Sequence, residues 1–353
     1  MMELNRVLFI PVSSPSGIGE YMRSMIIAKK LLTRWPALQV HFILNEQVSY
    51  LNDCPYHVHL CKDSPTKDTA KVKQILQQVN ADLVIFDASG RAKQFQKAKS
   101  LGAKVAFISQ HNKKRARGLK LNRLSHIDSH WVVQPDFCMK PLNLIQRIKL
   151  FLCKKNPPKN IGPVFDVASE EYQSKTLKKY DLVAKQYFIF NAGSGGHLVS
   201  DKLAADIYFQ AAKAVYQNTK QKCLVVFGNN YPKNLPYDSD VVCIKNIANK
   251  DFVALLASAQ ACIISGGDTL LQCLALANVC VAAPVSPDQP ARIKLCQSHE
   301  QVFPAQPTVD SLLSQTMQSL EIINNKSSVK SKTDTVHTHA LDIVVDDIAM
   351  LFD

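Results

Sequence analysis

One stretch, Ala261 to Gln289, limits what this chain can fold into more than any other. An apolar run (Ala261-Cys262-Ile263-Ile264) leads into Ser265-Gly266-Gly267-Asp268-Thr269, then into an apolar helical pattern from Leu270 to Ala277. A second apolar strand (Val279 to Ala283) and a polar loop, Pro284-Val285-Ser286-Pro287-Asp288-Gln289, complete it. Strand, helix and strand at this spacing make a βαβ unit. The two glycines fall where strand hands over to helix, so backbone can approach a ligand closely there. The helix N-terminus behind them offers unpaired N–H groups and the positive end of the helix dipole. Thr269 or Asp268 is the expected cap of that helix. A tight turn of any α/β protein accounts for the glycines equally well.

The same alternation runs through the chain. Val7 to Val12 reads as a strand, Glu20 to Arg34 as a helix stopped by Pro36, and Val40 to Leu44 as a strand. Thr66 to Val79 reads as a helix, Leu83 to Phe86 as a strand, Arg91 to Leu101 as a helix and Val105 to Ser109 as a strand. Trp131 with Val132-Val133 makes a short strand between basic arms, and Pro157-Pro158 marks a linker. A second series follows with strands at Tyr187 to Phe190, Cys223 to Phe227, Val241 to Ile244, Ala261 to Ile264 and Val279 to Ala283. Asn324 to Thr335 is polar and aperiodic, the pattern of a mobile loop before a last helix at about Leu341 to Phe352. The pattern is α/β, with a doubly wound parallel sheet in each half. At 353 residues two domains are expected, 1–158 and 159–335, with 336–353 as a terminal helix.

Charge separates the halves. Residues 1–160 hold 26 Lys and Arg against 10 Asp and Glu, whereas 161–353 are close to balance, so the first half is expected to meet something anionic. Twelve of those cations lie between His111 and Asn160. Lys140 to Asn156 interleaves apolar residues with Arg147, Lys149, Lys154 and Lys155, as a basic amphipathic helix on an anionic membrane does; a core-facing helix with a solvated basic side fits equally. Upstream, Lys113-Lys114-Arg115-Ala116-Arg117 has the makings of a phosphate-acceptor loop. Nucleic acid is not expected, because no nucleic-acid motif occurs and aromatics are not interleaved with the cations. No run of eighteen apolar residues spans a membrane, and Met1 to Pro15 reads as a first strand and not as a signal peptide. Ten scattered cysteines without Cys-x-x-Cys argue against a disulfide framework or zinc site and suit a reducing cytoplasm.

Three more places can carry chemistry. Gly17-Ile18-Gly19-Glu20-Tyr21-Met22-Arg23 follows the first strand and opens a helix, at the end of the sheet where open α/β sheets bind ligands. Glu20 is also a residue the helix dipole favours in a first turn, and Arg23, one turn on, can pair with it or reach a phosphate. Asn191-Ala192-Gly193-Ser194-Gly195-Gly196-His197 forms a flexible turn ahead of a helix, where His197 either contacts phosphate or faces solvent. Ile247 follows the strand end Val242-Cys243-Ile244-Lys245-Asn246. Asp238-Ser239-Asp240, in a Pro/Tyr/Asn loop, reads as a solvated turn and not as a metal site, and no P-loop occurs.

The order Ser-Gly-Gly, helix, strand, Pro, loop, Asp-Gln resembles the donor motif of GT-B glycosyltransferases. The nearest likenesses are the branch of lipid II synthase and of the UDP-sugar hydrolase of pseudaminic acid synthesis. The resemblance implies two Rossmann-like domains facing a cleft, with the last helix often returning to the first domain. It implies that Gly193, Ser194, Gly195, Gly196 and His197 meet the donor diphosphate from one side and Ser265, Gly266, Gly267, Asp268 and Thr269 from the other. Gln272 stands where a ribose-binding carboxylate is usual, Ile247 would read the base through its backbone, and Asp288 and Gln289 would hold the donor sugar. Gly17 and Gly19 resemble the Gly-x-Gly opening of the hydrolase family with Glu20 in its His position, which implies Glu20 as the catalytic base. The implied activity is that of an inverting glycosyltransferase without metal or other cofactor. It would move a sugar from a nucleotide-sugar to an anionic or lipid-linked acceptor in bacterial envelope or capsule synthesis, in the cytoplasm or at the inner membrane face. A nucleotide-sugar hydrolase or epimerase, or a non-catalytic binding subunit on the same fold, are the alternatives.

Overall fold

The computed structural model describes residues 3–13, 18–48, 50–325 and 338–353. Gly17 and most of the expected mobile loop, 326–335, lie outside the described residues. The chain forms two compact units, Met1–Phe165 with His339–Asp353, and Asp166–Thr338.

Unit 1 runs β1 (Arg6–Pro11), α1 (Gly19–Arg34), β2 (Gln39–Asn45), β3 (His57–Cys61), α2 (Thr69–Val79), β4 (Leu83–Asp87), α3 (Ala92–Ser100) and β5 (Lys104–Ser109). It continues through α4 (Asn112–Gly118), α5 (Leu121–Leu124), β6 (Ser129–Val132), α6 (Leu144–Leu152) and β7 (Lys159–Asn160). All seven strands are parallel, in the order β3-β2-β1-β4-β5-β6-β7. A parallel sheet is covered on both faces, so its strands must be apolar on both. Val7, Phe9, Phe42 and Ile85 serve one core while Leu8, Ile10, Val84 and Phe86 serve the other. Burying each such side chain is worth about 1.5–3 kcal/mol. Tyr21 holds α1 on the first face, stacked on Tyr50 at 4.3 Å between ring centres.

The terminal helix, Ala340–Phe352, packs into the first of these cores through Val344, Val345 and Ile348. Its Asp347 accepts hydrogen bonds from Ser129 Oγ, from Trp131 Nε1 at 2.7 Å and from Lys159 Nζ. Lys159 and Asn160 pair with Trp131 and Val132 as the last strand of the sheet, so the chain does not leave unit 1 at Pro157-Pro158 but after Phe165.

Unit 2 runs α7 (Glu170–Lys179), β8 (Tyr187–Asn191), a hairpin of β9 (Leu198–Val199) and β10 (Lys202–Leu203), α8 (Ala204–Thr219), β11 (Lys222–Val226) and β12 (Val241–Ile244). Then come α9 (Asn249–Ser258), β13 (Ala261–Ser265), α10 (Asp268–Ala275), β14 (Cys280–Ala283), α11 (Gln289–Cys296), β15 (Val302–Pro304) and α12 (Val309–Asn325). Six strands form a parallel sheet in the order β12-β11-β8-β13-β14-β15. All ten cysteines are free. Cys262, Cys273 and Cys280 are buried, and burial pushes their thiols up, so they act as small apolar residues.

Candidate functional site

In each sheet the strand order reverses beside the first strand, between β1 and β4 in unit 1 and between β8 and β13 in unit 2. Ligands of open α/β sheets bind beyond the carboxyl ends of the strands at such a point. The two glycine loops of unit 2 and Glu20 with Arg23 in unit 1 follow the strands that flank these two places.

In unit 2, β8 and β13 are neighbours, with Asn191 opposite Ile264. The glycine loops that follow them are therefore adjacent. A Cβ on Gly193 would lie 3.5 Å from Ser265 Oγ and 3.6 Å from His197 Cδ2. Asn191 shapes the first loop by donating Nδ2–H to Gly193 O and Val226 O and accepting the Gly193 N–H. Gly195 (φ +97°) is pressed onto Phe227 O and the Tyr231 amide, where no side chain fits. Ser194 O accepts the Asn230 N–H, and Gly196 is exposed. The loop does not open a helix directly. The β9–β10 hairpin intervenes, and α8 begins at Ala204, so His197 is a loop residue.

The second loop is held by α11. Gln289 is buried, and its Oε1 accepts the N–H groups of Gly266 (3.1 Å) and Val285 (2.8 Å). Its amide oxygen is thus engaged in joining two loops, which leaves Nε2 as its group for a ligand. Arg292 Nη1 donates to Gly266 O at 2.8 Å, with Nη2 3.8 Å from Asp268 Oδ1. Asp268 and Thr269 do not cap α10. Gly267 is the N-cap and supplies no side-chain acceptor, because the helix starts at Asp268, two residues earlier than its apolar pattern suggests. No side chain caps the start of α10, which lies beside two glycine loops, and Leu270 N–H turns back to Gly267 O; a helix start of this kind suits an anionic oxygen. Gln272 is half-buried one turn into α10, with its amide in no hydrogen bond among the described residues. Asp288 is exposed and accepts the Ser286 hydroxyl at 2.7 Å, and the half-buried Ile247 sits between β12 and α9.

In unit 1 the switch point is built from charged side chains. Arg23 does not pair with Glu20. It forks onto Asp87, the last residue of β4, with Nε–Oδ2 2.9 Å and Nη2–Oδ1 2.6 Å, and Ser24 adds a hydroxyl. Both partners are buried, so each needs the other's charge, and this occupies an arginine expected to be open to phosphate. Burial pushes the Asp87 carboxyl up, to about 6, against the opposing pull of Arg23. Glu20, in the first turn of α1 behind Gly19, is left outside that pair. Among the described residues its one hydrogen-bond partner is Gln110 Nε2, 2.9 Å from Oε1. Lys114 Nζ donates to Ala88 O at 2.9 Å. Burial holds Lys114 below the usual lysine value while Glu20 draws it back up. His111 caps α4 by accepting the Lys114 N–H.

The expected phosphate loop at 113–117 is instead helix α4. Arg115 is buried in it and donates to Asn112 Oδ1 and Lys140 O, a structural role. The helix expected across 140–156 is confined to α6, and its apolar face is not in the core. Leu144, Ile145, Ile148, Phe151 and Leu152 are 47–82% exposed, and Leu150 alone is buried. The Asp238–Asp240 segment is a loop with Ser239 and Asp240 exposed and Asp238 half-buried. Asp238 pairs with Lys213 and takes the Asp240 N–H. Gln110 and Arg292 are the residues sequence reasoning missed, and Lys114, expected in a phosphate loop, stands beside Glu20 instead. Arg292 lies three positions past Gln289, a helical spacing that would have placed it beside the loop had α11 been foreseen.

No family model matches the chain, and no curated protein matches it. Solved structures match over nearly its whole length. The structure of S. aureus MnaA with UDP has a TM-score of 0.65 at 11% identity, covering 98% of this chain and 96% of that one. The UDP-GlcNAc 2-epimerase of Methanocaldococcus jannaschii, in complex with UDP-GlcNAc and UDP, has 0.58 at 12%, covering 98% and 99%. The glycosyltransferase of kitacinnamycin has 0.61 at 12%, covering 99% and 96%. The chain shares the GT-B fold of these glycosyltransferases and epimerases. Among the described residues no helix is long and apolar enough to cross a membrane.

Proposed function

We propose that this chain is an inverting glycosyltransferase that takes a sugar from a nucleoside-diphosphate donor and transfers it to an acceptor at an anionic membrane face. The donor reading rests on unit 2. Two glycine loops and the uncapped start of α10 offer backbone N–H groups to a diphosphate, so the leaving group is stabilised without a metal. The UDP in the M. jannaschii and S. aureus structures supports a nucleotide-sugar as ligand. Gln272 then faces the ribose, Ile247 the base, and Asp288 with Gln289 Nε2 the sugar. Glu20, the carboxylate not consumed by Arg23, takes the proton of the acceptor hydroxyl as that oxygen attacks the anomeric carbon.

The observation that carries transfer, over epimerisation or hydrolysis of a soluble sugar nucleotide, is α6. Five large apolar side chains point to solvent on nine residues of helix, flanked by Arg147, Lys149, Lys154 and Lys155. A soluble monomer gains nothing from such a face, but a helix lying in a lipid interface buries it while its cations meet the headgroups, each worth about 1 kcal/mol. An epimerase or hydrolase acts on a dissolved substrate and has no use for it. The test is incubation with UDP-sugars alone and with vesicles of phosphatidylglycerol doped with an envelope lipid extract. Sugar incorporated into lipid, only when vesicles are present, is the expected result. A C2-epimerised or freed sugar in the vesicle-free arm would replace transfer by epimerisation or hydrolysis. Nucleotide binding without turnover in either arm would leave a binding subunit.

A further inference from the structure

Unit 1 holds a second basic feature, made from different elements than α6. The turn after β4, Thr66 in the loop before α2, Phe107 of β5 and the helices α4 and α5 line a cavity of about 310 Å³. Ligand pockets span about 300–1,000 Å³, so this one suits a small group and not a whole sugar nucleotide. Five cations line it: Arg91, Lys114, Arg117, Lys120 and Arg123. No carboxylate does. Among the described residues none of the five is in an ion pair with an acid.

Their positions are fixed by the fold. Arg91 Nε donates to Thr66 O, Lys114 Nζ to Ala88 O, and Arg123 lies over the Phe95 ring at 5.7 Å. Gly90 (φ +90°) makes the turn that brings Arg91 round, and a Cβ there would meet Phe95 and Phe86. The cations are close enough to repel one another. Burial, then Arg91 and Arg117, hold the Arg123 guanidinium below its usual value, and Arg117 does the same to Lys114. Like charges gathered around one concavity lower the stability of an empty protein, whereas an anion in the concavity attracts each of them and offsets that repulsion. Arginine forks match the oxygens of a phosphate, and three arginines with two lysines match a group of more than one negative charge.

We infer that this cavity is a binding site for a phosphate or diphosphate group, separate from the nucleotide's place in unit 2. The group is either free in solution or carried on a lipid, and the test distinguishes these sources. Binding of inorganic pyrophosphate to the full chain is followed by calorimetry, with saturating UDP present to occupy unit 2. Pyrophosphate should bind, sulfate should bind more weakly, and the double variant Arg117→Gln/Lys120→Gln should weaken pyrophosphate about tenfold or more. Both residues are exposed, so this variant keeps its fold, which a thermal melt checks, and UDP affinity should not change. Farnesyl diphosphate binding more tightly than pyrophosphate would mark a lipid-carried group, and equal affinity a free anion. Absence of pyrophosphate binding, equal affinity for sulfate, or an unaltered double variant would overturn the site. If UDP itself fails to bind, the nucleotide reading of unit 2 falls, while the pyrophosphate titration, then run alone, still decides this one.

Discussion

The two units are built on one plan and use it differently. Both have a parallel sheet whose strand order reverses beside its first strand, and both gather unusual residues at that point. In unit 2 the gathering is glycine, serine, amide side chains and the bare start of a helix. In unit 1 it is Glu20, Arg23, Asp87 and Lys114, two negative and two positive charges. The wider charge follows suit, with 26 cations against 14 acids in unit 1 and 16 against 15 in unit 2. A site made of backbone amides is rigid and does not titrate, which suits holding a diphosphate. A site made of side chains can take and return a proton. The fold fixes where a site lies, and the residues decide what it does.

The largest effect expected from breaking this division is on Glu20. A positioned base contributes typically about 10²–10⁴-fold. Glu20→Gln keeps the size of the side chain and its place beside Gln110 but cannot accept a proton, so turnover should fall by about that factor. UDP affinity, which the proposal assigns to unit 2, should be unaltered. A fully active Glu20→Gln protein would remove proton transfer from the charged switch point.

Next comes Asp87→Asn, which leaves Arg23 buried without its counter-charge. Breaking a buried pair costs about 3–5 kcal/mol. Both tryptophans, Trp35 and Trp131, are in unit 1, so their fluorescence reports its unfolding alone. The fluorescence midpoint in urea should drop sharply in this variant. A midpoint matching that of the unaltered chain would show that the pair does not hold the charged site together.

What was legible in the sequence follows the range of the interactions. The two glycine turns of unit 2, most of the strands and Glu20 at its helix start are local patterns, and they stand where the spacing put them. The partner of Arg23 lies 64 positions away, and nothing local distinguishes Asp87 from Glu20 as its acceptor. Gln289 read as a ligand residue from the Asp-Gln pair; that its amide oxygen also joins two loops was not legible, because its helix, α11, has no clear apolar stripe. β3 was missed because His57-Val58-His59-Leu60-Cys61 is a half-exposed edge strand, not an apolar run. The apolar spacing of α6 predicts a helical face but carries no information on whether core or solvent meets it. Only the burial of Leu150 alone decides that. The basic cavity joins residues 66, 88–91, 107 and 114–123, and no motif spans that distance.

Acid should separate the units with a smaller effect. His41 is pushed down to about 4 by burial and by the neighbouring His59 and His57, and His130 to about 3 by burial and Arg115. Both lie below the ordinary 6.5, so as pH falls the unfolded chain takes up protons first. Stability present above about pH 6.5 is lost progressively toward pH 4, with the fully buried His130 contributing on the order of 3 kcal/mol and the part-exposed His41 less. Tryptophan fluorescence should show unit 1 weakening across this window. His130→Gln should flatten the slope, and an unchanged slope would assign the acid sensitivity elsewhere.

The smallest effect concerns unit 2 and tests whether its site extends beyond backbone. Asp288 is exposed at the start of α11, bonded to the Ser286 hydroxyl, and makes no capping hydrogen bond to that helix. If it holds a sugar hydroxyl, Asp288→Ala removes one hydrogen bond, worth about 0.5–1.5 kcal/mol. UDP-sugar affinity should then fall about two- to tenfold, while UDP affinity stays the same, because UDP lacks the sugar. A purely structural Asp288 gives the opposite pattern. The carboxylate then only complements the helix dipole, its loss costs about 0.3–1 kcal/mol of stability, and UDP and UDP-sugar shift together or not at all. Titrating both ligands into one variant, with a thermal melt alongside, separates the two cases even though each effect is small. A shared loss would confine the unit 2 site to glycine turns, amides and the start of α10, making the contrast with the charged site of unit 1 complete.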